Sequence, residues 1–110
     1  MKSPGQLAEL RTAARIGAQL TPASGALAGA KGDMHIDRLK VENKSTVGKA
    51  INIKAEWLVK IEGEAREVGM VPALAFQFTH ADGRPRMTPY VCIPEWLFVE
   101  LVDVYRKTQD

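Results

Sequence analysis

Apolar residues recur along the chain in two rhythms, and each rhythm predicts its own elements. Leu7, Leu10, Ala14 and Gly17 fall at helical spacing. Ahead of them, Ser3-Pro4-Gly5-Gln6 opens a helix: Ser3 suits the N-cap, Pro4 the first helical position, and Gln6 completes a capping box. Leu20 to Gly32 has no period, is rich in Ala and Gly, and reads as a loop. Met34 to Asp37 and Leu39 to Lys44 alternate apolar with polar residues and read as a strand hairpin, with Asp37 in its turn. Ser45 to Lys54 crosses to a helix over Ala55 to Val68, where Leu58, Ile61, Ala65 and Val68 form the stripe and Gly69 ends it. Trp57 beside that stripe is expected to pack in a core or interface.

Val71 to Phe78 is almost continuously apolar, as in a central strand buried on both faces. Gln77 is its exception. A turn at Asp82-Gly83, a strand over Tyr90 to Ile93 and a helix over Glu95 to Lys107 behind Pro94 complete the pattern. The last helix has an apolar arc wide enough for a subunit interface or for the last layer of a monomer core. The order is helix, hairpin, helix, central strand, strand, helix. It predicts a single α/β domain over residues 1–110, with a mixed central sheet flanked by helices.

Composition adds little to that picture and charge adds more. Apolar residues make up 45% and charged residues 25%, as in ordinary soluble domains. No apolar run reaches the length of a membrane span, and no apolar h-region follows Lys2, so a cytoplasmic protein is expected. The single cysteine, Cys92, excludes an internal disulfide framework, and its apolar strand predicts a packed, inert thiol. Two histidines, no Gly-x-Ser-x-Gly elbow and no Walker loop disfavour serine hydrolases and nucleotide hydrolysis. The net charge of +2 is uneven. Residues 1–54 hold nine Lys/Arg against four Asp/Glu, a surplus of five, whereas residues 55–110 hold six against nine. The first half is thus the one that attracts a polyanion, unless the surplus is chance.

That basic half also carries the candidate chemistry, in Lys31 to Thr46 (KGDMHIDRLKVENKST). Strand alternation puts Glu42 and Lys44 on one face, and pairing of the two runs brings Asp33 toward Glu42. Two converging carboxylates beside a lysine are costly to bury unless a hard cation lies between them. Mg²⁺ takes one or two carboxylates with waters, and it activates water against a phosphodiester. His35, alone on a half-exposed strand, reads as a surface residue rather than a ligand.

Asp33 followed by Glu42-Asn43-Lys44 resembles the D…(D/E)-x-K motif of the PD-(D/E)XK nuclease superfamily. With Glu9 on a preceding helix, Ser24-Gly25 between and a helix after, residues 3–79 resemble, within that superfamily, Holliday-junction resolvases of the archaeal type and their phage relatives. Gly32 stands where that family has a proline. The resemblance implies a restriction-endonuclease-like core and a Mg²⁺-dependent DNA endonuclease, with Mn²⁺ as a substitute. Glu9, Asp33, Glu42 and the carbonyl of Asn43 would hold metal, and Lys44 would orient the attacking water. Gln77 would point toward the metal edge.

Backbone contacts to DNA would come from Arg11, Arg15, Ser24, Lys31, Lys40, Ser45, Thr46 and Lys49. From the residues alone, Glu9 reads equally as a boundary glutamate, and Ser24 as part of a plain connector. A resolvase cuts a four-way junction at two symmetric places, so a homodimer is expected. The alternative readings are a junction-independent nicking, repair or restriction-like endonuclease, a non-catalytic DNA-binding module, and a small structural or interaction protein in which D…E-x-K is coincidence.

Overall fold

The computed structural model describes residues 1–20 and 34–109. Its elements in chain order are α1 (Pro4–Ile16), β1 (Gln19–Leu20), β2 (Met34–Ile36), β3 (Leu39–Thr46), α2 (Ala55–Glu67), β4 (Val71–Phe78), β5 (Tyr90–Cys92) and α3 (Glu95–Thr108). The five strands form one sheet whose spatial order, β1-β2-β3-β4-β5, repeats their chain order. Only β3 and β4 pair in parallel, and α2 bridges them; the other three pairings are antiparallel. The predicted α/β domain with a mixed sheet is therefore present. The predicted loop over 20–32 lies mostly outside the described residues, and the short β1 before it was not anticipated.

Helix α1 starts as its sequence dictates. Ser3 N–H donates to Gln6 Oε1 at 2.8 Å, and Gln6 N–H donates to Ser3 Oγ at 3.2 Å. It stops at Gly17, whose φ of 75° suits a residue without Cβ. Its buried face is Ala8, Thr12 and Ala13 rather than the larger stripe of Leu7, Leu10 and Ala14; Leu10 and Ala14 are exposed. Small side chains let the helix lie close on the sheet. There Ala13 joins Met34, Val41, Ala73 and Ala75 in the core.

The other sheet face is covered by α2, whose buried Ile61 and Ala65 lie on the side of Leu74. In α2 the expected stripe is buried only at its centre, with Leu58 and Val68 left exposed. Asp37 turns the β2–β3 hairpin with φ 51°, as a turn aspartate can.

After β4 the chain makes a tight turn at Asp82-Gly83. Arg84 N–H donates to Asp82 Oδ1 at 3.0 Å and holds that carboxyl below the usual aspartate range; the Arg84 guanidinium, 2.6 Å from Oδ2, adds to this. Gly83 packs against the first turns of α1, and a Cβ built on it would stand 2.6 Å from the Ala8 nitrogen. Arg11 Nε donates to the Asp82 carbonyl at 3.0 Å, so the turn and the helix are clipped together.

Cys92 corrects its expectation. It is exposed, because among the described residues β5 is the edge strand of the sheet and pairs only with β4. Nor does any residue of α3 become buried, and its apolar arc does not join the core.

Candidate active site

The site begins with alternation along β3. Leu39, Val41, Asn43 and Ser45 face α1, and Lys40, Glu42, Lys44 and Thr46 face the α2 side. On that second face Glu42 is only 8% exposed. Lys44 Nζ lies 3.6 Å from Glu42 Oε1 and 4.4 Å from the centre of the Trp57 ring. Trp57 is thus a platform for an ammonium rather than simple packing, a cation–π contact that fixes Lys44 beside the carboxylate. The trio lies where the carboxyl end of parallel β3 meets the first turn of α2, a common place for ligands in open α/β sheets.

The backbone adds a further donor. Arg38 and Thr46 direct their carbonyls to β4, accepting from Val71 N–H at 2.7 Å and Thr79 N–H at 2.8 Å. Alternation then turns the Asn43 carbonyl to the opposite edge, toward β2. Strand β2, as described, begins at Met34 opposite Val41; among the described residues no strand covers Glu42 to Thr46 on that side. Glu42 and the Asn43 carbonyl are adjacent along β3, and a carboxylate and a backbone carbonyl are both the hard oxygen donors that Mg²⁺ takes. Among the described residues, no three His, Cys, Asp or Glu side chains gather as a metal group.

Comparison with protein-family models, curated proteins and solved structures finds no match.

The remaining predicted site residues are distributed unevenly. Asp33, Ser24 and Lys31 lie outside the described residues. Glu9 is half-buried on α1, which covers the Asn43 face, so it comes from the side of the sheet opposite Glu42 and Lys44. A metal shared by the two carboxylates would have to sit at the strand edge, where the faces meet. Lys40 and Thr46 share the Glu42 face, and the Thr46 hydroxyl accepts from Gly48 N–H at 3.0 Å. Ser45 shares the Asn43 face, and Lys49 is exposed just beyond the strand. Arg15 is turned to protein: its guanidinium donates to Thr12 Oγ1 at 3.2 Å and to Gln77 Oε1 at 3.3 Å. Arg11 is held by the Asp82 carbonyl.

Gln77 differs from its expectation. Its register partner is Ser45, so its side chain points to the α1 face, away from Glu42 and Lys44. There its amide donates to Thr12 Oγ1 and, at 3.2 Å, to Asn43 Oδ1, while the Thr12 hydroxyl donates to Asn43 Oδ1 at 3.3 Å. Thr12, Asn43, Gln77 and Arg15 thus form one network behind the Glu42–Lys44 strand. The sequence signal for it was the lone glutamine in an apolar run, since a buried amide requires partners. The partners themselves are 65 and 34 residues away and give no such signal.

Proposed function

We propose that the protein is a metal-dependent DNA endonuclease of the PD-(D/E)XK type, acting on branched DNA as a homodimer. The observation that supports this best is the pairing of a nearly buried Glu42 with a Lys44 fixed over Trp57, toward the carboxyl end of parallel β3. Asp33 completes the reading by covalent proximity. It is one peptide bond from Met34, whose register partner is Val41, itself one peptide bond from Glu42.

In this reading Glu42, Asp33 and the Asn43 carbonyl hold Mg²⁺, and Glu9 contributes from the far face. When bound, the ion polarises a phosphoryl oxygen and lowers the pKa of its water. Lys44 orients the attacking water, and its seat between Glu42 and the Trp57 ring limits the positions its ammonium takes. Lys40 and Lys49 meet the phosphate backbone.

The test is cleavage of a synthetic four-way junction and of a matched linear duplex, with and without Mg²⁺, by the wild type, Glu42→Gln and Asp33→Asn. The expected result is Mg²⁺-dependent paired cuts in the junction, reduced on the order of 100-fold or more in either variant, with DNA binding retained. Equal cutting of both substrates would remove the junction preference. Wild-type cleavage by Glu42→Gln would overturn the site.

A further inference from the structure

Helix α3 is apolar and uncovered. Trp96, Phe98, Val99, Leu101, Val104 and Tyr105 are each more than half exposed, and no residue of the helix is buried. A helix of 14 residues draws little stability from its own hydrogen bonds in water and relies on packing of its apolar face. These six side chains leave on the order of 600 Å² of surface. They are spread around the helix rather than gathered in one patch, so a partner that wraps α3 would cover an area near the ~800 Å² that each partner contributes to a standard interface.

At the root of the same helix lies an apolar groove of about 630 Å³, lined by Leu58, Ile61, Met70, Pro72, Leu74 and Ile93 among others. Trp96, in the first turn of α3, lines the groove from the side of the helix opposite Phe98, Leu101 and Tyr105. The groove also has two carboxylates, Glu62 and Glu95, and one guanidinium, Arg66, and α3 carries both signs in Glu100, Asp103, Arg106 and Lys107.

We infer that the groove is the seat of α3 from a second copy of this chain, each helix filling the other's groove about a two-fold axis. A chain that carries both a protruding apolar helix and an apolar groove offers the two halves of one contact. A two-fold axis satisfies both halves at once and closes the assembly at two. Phe98, Leu101 and Tyr105 recur at spacings of three and four and present one face, with Glu100, Asp103 and Lys107 turned away from it. The absence of a basic cluster in the groove argues against nucleic acid as its occupant. The inference gives the proposed homodimer its surface, yet it stands on exposed area rather than on the nuclease chemistry.

Association of the full chain, measured without DNA or metal, tests it separately from cleavage. Sedimentation velocity over a wide concentration range should show the wild-type mass doubling. Phe98→Glu and Leu101→Glu should remain monomeric with unchanged helical circular dichroism. Val59→Glu, at an exposed α2 position outside the groove lining, should still dimerise. Cys92 is exposed in the single chain and lines the groove, so its reaction with a maleimide should slow as dimer accumulates. A wild type that stays monomeric would overturn the inference. So would a dimer indifferent to Phe98→Glu and Leu101→Glu, or one whose Cys92 reacts as fast as the monomer's.

Discussion

Gln77 sits almost fully buried in a strand whose other residues are apolar, and every polar atom of its side chain is used. It ties α1 to β3 through Thr12 and Asn43, and so steadies the strand whose other face carries Glu42 and Lys44. Gln77→Leu keeps the volume but strips partners from Thr12, Asn43 and Arg15. The expected cost is about 1–3 kcal/mol of stability, read as a lower melting temperature, and wild-type stability would show that the network contributes nothing. The residue scale is also where the sequence was least legible. Glu42 and Lys44 follow from alternation, which is local. The identity of what they meet, Trp57 under the ammonium, depends on where α2 starts relative to the end of β3. Cys92 failed for a related reason: an apolar triplet reads as buried whether its strand is central or at an edge.

At the scale of elements, α1 is placed by a turn that comes more than sixty residues after it. Gly83 has a φ of 84°, and its missing Cβ leaves room for the backbone of Leu7 and Ala8. Gly83→Ala is strained twice, by dihedral and by contact, and should destabilise by about 1–3 kcal/mol. Chemical denaturation measures this, and an unchanged midpoint would mean that the turn yields freely. The elements themselves were largely legible. The spans expected for α2 and β4 agree closely with the structure, because 3.6-residue and continuous apolar patterns are strong signals. The face that α1 buries was not legible. Periodicity favoured its larger residues, whereas close approach to the sheet favours Ala8, Thr12 and Ala13.

For the whole molecule, charge is the feature with reach. The surplus of five positive charges in residues 1–54 belongs to the half that contains β3 and the candidate site. DNA binding should weaken steeply with salt, each neutralised phosphate contributing about −0.9 to the slope of log K against log salt. Lys49→Ala should make that slope shallower by roughly one contact, and fluorescence anisotropy at several salt concentrations reads it directly. A salt-independent affinity would remove DNA from the proposed partners.

The sheet's spatial order repeats its chain order. During synthesis each strand therefore meets a neighbour that has already left the ribosome, and the sheet can grow from one edge to the other without waiting for a distant segment. Its assembly is first order in the chain. Helix α3 emerges after the five strands, and its cover comes from another molecule in the dimer inferred above. That final step is second order. Its rate depends on how much protein the cell has made, and a newly made chain shows its apolar arc until it meets another.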